Sequence, residues 1–282
     1  MNESTGGIRE WIIPAAFLFC TGWVVWQMPA FILDIYPPKE QSLVDVMGQL
    51  YEEKDIWPGL PGLFGGHADI VDWLMLVMVP ILFIIGCLTV KVAHSEFQKW
   101  RRVDRPTLFV GRVTMIIIIT MTSVMLYEVF MRYVLESPTL WANELSQWLA
   151  GFVFLCSGLY VMQQRGHIRI FLLYDTLPRN LQRAFDTFGV VLICVFAFFF
   201  VYGSYQQVFV NKFYKWEMFG TAFDPPIPAT VLPAILIVMT LIAVQAVINL
   251  INDWNLEKVV HSAADDVDED EIEALKRNIG VE

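Results

Sequence analysis

Residues 127 to 183 read YEVFMRYVLESPTLWANELSQWLAGFVFLCSGLYVMQQRGHIRIFLLYDTLPRNLQR. Charge gathers on the two flanks of an apolar run, with Glu128, Arg132, Glu136 and Glu144 before it and Arg165, His167, Arg169, Arg179 and Arg183 after it. Twenty uncharged residues separate Glu144 from Arg165. At about 1.5 Å of rise per helical residue, such a run crosses a bilayer core of roughly 30 Å. The arginine-rich flank is expected in the cytoplasm, by the excess of Lys and Arg that marks inner loops.

Working outward, the same pattern recurs. Uncharged runs at 11–33, 73–90, 113–127, 145–164, 187–211 and 225–252, in a chain of 282 residues that is 56% hydrophobic, are too apolar and too regular for a water-soluble domain. They predict an all-α integral membrane protein with six transmembrane helices, over residues 11–35, 70–92, 107–133, 140–163, 181–213 and 229–253. The third run is short, and snorkelling of Arg112 and of Glu128 or Arg132 to the interfaces extends it to a normal span. The first run follows a weak basic region, Arg9 beside Glu10, and no small-residue cleavage pattern comes after it, so it reads as a retained helix.

With both termini cytoplasmic, only Lys39, Lys54, Arg132, Lys212 and Lys215 of the 19 lysines and arginines fall outside. That asymmetry sets the expected orientation. Between the first two spans, Leu43, Val46, Met47, Leu50 and Tyr51 recur at helical spacing opposite Asp45, Gln49, Glu52 and Glu53, which predicts an amphipathic helix on the outer membrane face or against a partner. Three segments follow: a 1–105 two-helix extension with an amphipathic periplasmic stretch, a 106–254 four-helix membrane domain, and a 255–282 acidic cytoplasmic tail. The tail carries nine acidic and three basic residues, the pattern of a solvated tail or of one that docks a partner.

Chemistry is scarce. Cys20, Cys87, Cys156 and Cys194 all lie within apolar runs and read as small hydrophobes. His67, His94, His167 and His261 lie in loops or at helix ends, which excludes a haem held between helices on this topology. No Asp, Glu, Lys, Arg or His occupies a helix centre, where proton and ion paths leave their costly ionisable groups. No serine, cysteine or carboxylate constellation suggests hydrolysis, and no glycine-rich loop suggests a nucleotide. No cofactor, metal, nucleic-acid partner or enzymatic activity is expected.

The outer ends of the third and fourth spans are more informative. Glu128 and Arg132 stand four apart in the order that favours an intrahelical pair. Trp141, Glu144, Trp148, Gly151, Leu155 and Gly158 follow the spacing of a packed seam, and the two glycines permit close helix approach. The spacing is consistent with an interfacial carboxylate among aromatic-belt neighbours, or with an Arg132 to Glu144 bridge that fixes the hairpin or docks a partner chain. On the inner side, residues 163–183 read as an amphipathic segment, with Ile168, Ile170, Leu172 and Leu173 toward lipid and Arg165, Arg169, Arg179 and Arg183 within reach of phosphates. His167 has no companions of metal-ligand type.

RYVLESPTLWANEL, an apolar helix, and then RGHIRIFLLYDTLP together resemble the small membrane subunit of tripartite ATP-independent periplasmic (TRAP) transporters, the DctQ family. The shared elements are Arg132-Tyr133, Ser137-Pro138, Trp141, Glu144, Gly166-His167-Ile168-Arg169, Leu173-Tyr174-Asp175 and Leu177-Pro178. The resemblance spans about residues 106 to 254. It implies a scaffold subunit in a bacterial inner membrane that braces a large permease subunit, the one expected to hold the substrate and sodium sites. It also implies a periplasmic solute-binding protein and uptake of an organic acid, with Arg132, Trp141, Glu144, His167 and Arg169 as subunit or lipid contacts. Residues 1 to 105 have no counterpart in the four-helix pattern, and Phe171 stands where an acidic residue is common. The alternative is a membrane-anchor subunit of another multiprotein complex.

Overall fold

The computed structural model describes residues 7–54, 66–93, 96, 101–165, 174 and 176–255. The helices are α1 (Ile8–Trp26), α2 (Met28–Ile35), α3 (Gln41–Lys54), α4 (Ile70–Thr89), α5 (Arg105–Tyr133), α6 (Trp141–Gln163), α7 (Arg179–Tyr205) and α8 (Ile227–Asp253). A 3-10 turn, Arg102–Asp104, leads into α5, and α7 widens into a π-helical stretch over Gln206–Phe213. Among the described residues, six helices are long and apolar enough to cross a membrane: α1, α4, α5 with its leading turn, α6, α7 with its π extension, and α8. Helices suit that setting because each backbone N–H finds its acceptor within its own segment, where no water can supply one.

The first span is not continuous to residue 35 as its apolar run suggests. It breaks at Gln27, and Pro29 opens α2, since proline has no N–H to donate and its ring crowds the preceding turn. Asp34, near the end of α2, then organises the return. Its carboxylate accepts the N–H groups of His67 (2.6 Å) and Ala68 (2.8 Å). Gly66 is required beside it, because a Cβ there would lie 2.3 Å from the Asp34 carboxylate. The return enters α4 through a capping box of Asp69 and Asp72, and the buried Asp72 also accepts the indole N–H of Trp23 at 2.7 Å, tying α4 to α1.

The amphipathic α3 is covered by this chain itself. Met47, with Val44 and Leu50, packs on Ile32 and Leu33 of α2 and on Trp216 and Ala229 from the far half of the sequence. Val46, counted on the apolar face, is instead half exposed. Deeper in the bundle, Phe17 of α1, Phe83 of α4 and Phe109 of α5 meet with ring centres 5.4 to 6.0 Å apart. Close approach of α4 to α5 depends on Gly86, where a Cβ would lie 2.2 Å from the Phe109 ring. The first two spans thus share cores with α5, α6 and the 213–229 region. By contrast α7 packs mainly on α8 and leaves Phe188, Phe196, Phe198, Phe199 and Tyr202 largely exposed, as a lipid-facing helix does.

Candidate functional site at the two polar ends of the bundle

Polar side chains gather at the two ends of the spans, and the ends differ in construction. At the end holding Glu128, the buried Glu128 carboxylate accepts the Arg132 guanidinium (Nη2 at 2.6 Å, Nε at 3.1 Å). Its other oxygen accepts the Thr139 N–H at 3.0 Å and the Thr139 hydroxyl. Glu128 therefore fastens the end of α5 to the loop that starts α6, a corner in which Glu136 takes a left-handed conformation (φ 50°).

The expected Arg132 to Glu144 bridge does not form. Arg132 reaches its own-helix partner four residues back, the nearer acceptor along the helix surface. Glu144 instead accepts the Thr221 hydroxyl at 2.6 Å, from the loop between α7 and α8.

The seam on α6 faces α8. The indole N–H of Trp148 donates to the Thr230 hydroxyl at 2.8 Å, Gly151 lies against Val231, and Gly158 against Ile242. Glu144 is on the same helix and meets the loop that leads into α8. Trp141 stands differently: it stacks on Tyr127 with ring centres 5.9 Å apart and stays 37% exposed. Arg132, at the same end, is half exposed beside its partner Glu128. His167 and Arg169 lie outside the described residues.

The opposite, arginine-rich end carries two networks that the sequence reading missed. In the first, Glu96 sits 7% exposed in the loop before α5 and accepts from Arg112 (2.7 Å), the Ala93 N–H (2.7 Å) and the Tyr160 hydroxyl (2.5 Å). This joins loop, α5 and α6. Burial pushes the Glu96 carboxyl upward, but the Tyr160 hydroxyl, the Ala93 N–H and the Arg112 guanidinium outweigh it, so its pKa lies below the ordinary value.

The second network centres on Gln245 of α8. Its amide donates to Asp104 (2.9 Å) and Asn249 (3.0 Å), and its carbonyl accepts the Thr107 hydroxyl (3.0 Å). Asn249 in turn donates to the Met162 carbonyl at the end of α6 (2.7 Å). Asp104 is fully buried and also accepts the Arg101 N–H at 2.8 Å. α5, α6 and α8 are pinned together below the surface. The signal was present: two amides four apart in an otherwise apolar helix put polar groups on one face, where only a neighbouring helix can satisfy them. Finally, Arg165 closes on the Asp253 carboxylate at 3.0 and 3.1 Å, joining the ends of α6 and α8.

Between these ends the middle of each of the six spans holds no Asp, Glu, Lys, Arg or His. Among the described residues no group of His, Cys, Asp or Glu is arranged to hold a metal ion. Fold and site define a multi-pass helical membrane protein whose buried polar groups join helix to helix.

Residues 121–254 match the family model described as "Tripartite ATP-independent periplasmic transporters, DctQ component". Over these residues, just under half of its length, the chain is similar to the DctQ family of transporter components, and α1 to α4 lie before the match. No curated protein and no solved structure matches the chain.

Proposed function

We infer that this chain is the small, bracing membrane subunit of a TRAP-type transporter. It holds a large permease subunit in the inner membrane and helps seat a periplasmic solute-binding protein for sodium-driven uptake of an organic acid. The observation that carries this reading is where the polar groups sit. Glu128, Glu144, Glu96 and Gln245 close corners and join helices at the two ends, while the bundle between them is packed with apolar side chains such as Phe17, Phe83 and Phe109. A bundle built this way is a rigid support, and its partner is expected to carry the substrate and the ion.

Both termini lie in the cytoplasm on this reading, with the Glu128 end in the periplasm, because the arginine-rich end carries most of the cationic side chains. α3 and the loop around Trp216 then form the periplasmic cap that the binding protein meets. Arg132 and Trp141 are the contacts offered to the permease at that interface, and His167 and Arg169 those offered to subunit or lipid at the other.

Coexpression of a tagged chain with the large permease gene beside it tests the reading. A stoichiometric complex that survives purification is expected. Recovery of this chain alone, with permease present and folded in the same membranes, overturns it.

A further inference from the structure

We propose that the cleft between the start of α7 and Trp254 seats the headgroup of an anionic phospholipid. The proposal rests on the membrane-spanning architecture and is independent of the transport reading.

Asp253 spends its carboxylate on Arg165. Arg179 is left with neutral acceptors, the Asp253 backbone carbonyl at 2.9 Å and the Gln182 amide oxygen at 3.4 Å. Arg183 gives its Nε to the Trp254 backbone carbonyl at 3.1 Å and lies 5.4 Å from the centre of the Trp254 ring. The two terminal nitrogens of Arg183 meet no acceptor among the described residues. Asp186, the next carboxylate along α7, accepts the Tyr174 hydroxyl at 2.7 Å. Two guanidinium groups therefore stand at a helix end with only neutral oxygens as their acceptors among the described residues. Guanidinium nitrogens match phosphate oxygens in geometry as well as charge.

Shape selects a lipid over a soluble anion. The cleft measures about 600 Å³ and opens outward, with Asn180, Arg183 and Thr187 at its polar rim. Below the rim, Ala184, Phe188 and Val191 continue down the same stripe of α7, and Phe188 and Val191 are 60% and 51% exposed. A polar rim that runs without interruption into an apolar track, at the end of a span, fits a phosphate with an acyl chain attached. Trp254, 42% exposed, supplies the indole that membrane interfaces favour at headgroup depth.

The test is native mass spectrometry of the full-length protein, titrated with phosphatidylglycerol or phosphatidylcholine of matched chain length. One phosphatidylglycerol per chain is expected to be retained at about tenfold lower concentration than phosphatidylcholine, the scale of charge-assisted hydrogen bonds. Arg183→Gln should abolish that advantage, and Trp254→Leu should at least halve it. Arg102→Gln, an equal loss of charge in an exposed turn at the same end, should keep it. Equal retention of both lipids, an advantage that survives in both Arg183→Gln and Trp254→Leu, or an equal loss in Arg102→Gln overturns the proposal. Displacement by millimolar inorganic phosphate also overturns it, in favour of a soluble-phosphate site. So does stronger phosphatidylglycerol retention after Asp265→Asn, Asp266→Asn and Asp268→Asn, which would make the chain's own tail the occupant.

Discussion

Replacing Gln245 with leucine puts a branched apolar side chain in place of the amide and removes three hydrogen bonds from a residue that is 3% exposed. Side-chain hydrogen bonds between membrane helices are worth about 0.6 kcal/mol each; two of the three leave α8 and the third joins Asn249 within it, so the bonds alone account for roughly 1–2 kcal/mol. The substitution also strands an Asp104 oxygen in a site with no exposure, and a buried unpaired acceptor adds about 1 kcal/mol or more. Gln245→Leu is therefore expected to destabilise the bundle by about 2–4 kcal/mol, a fall of roughly 5–15 °C in unfolding midpoint for a chain of this size. The assay is thermal unfolding in detergent, followed by tryptophan fluorescence. Asp104→Asn in the Gln245→Leu background should recover part of the loss, because the stranded oxygen is then neutral. A midpoint equal to wild type in Gln245→Leu, or a further fall in the double variant, refutes the pinning role of this network.

Three further outcomes are expected. Glu96→Gln should lower the midpoint at neutral pH. The Glu96 pKa is depressed in the folded state, so its contribution is present above the unfolded value of about 4.3 and is lost as pH falls through the folded value. The gap between wild type and Glu96→Gln should accordingly close in unfolding scans run progressively below that pH. Gly86→Ala forces a Cβ into the Phe109 ring and should cost about 1–3 kcal/mol, with Phe109→Leu as a second-site rescue. At the opposite corner, Glu128→Ala should lower the midpoint more than Arg132→Ala. Glu128 also holds Thr139, whereas Arg132 loses only a half-exposed pair, and thermal scans of the two variants should show that order.

The spans were legible because each is an apolar run between charges, and lipid leaves such a run few conformations other than a helix. The Glu128–Arg132 pair was legible from its spacing of four. Glu144's partner was not, because Thr221 lies on a loop 77 residues away and a hydroxyl carries no charge to search for. The Gln245 network escaped for a similar reason: a scan for ionisable groups passes over amides, although in lipid an amide needs a partner almost as much. The packing of α1 and α4 onto α5 was illegible because a helix apolar on every side shows no preferred face. Only the space at Gly86 and the bulk of Phe109 select it. The break at Gln27 was signalled by Pro29, and the continuous hydrophobicity around it masked the signal.

On the proposed function, this bundle supports transport without performing it. Solute and sodium flux into liposomes containing the purified chain, alone and with its large permease partner, measures that directly. No flux from the chain alone, with flux restored by adding permease and binding protein, is the predicted result; concentrative uptake by this chain alone would contradict it.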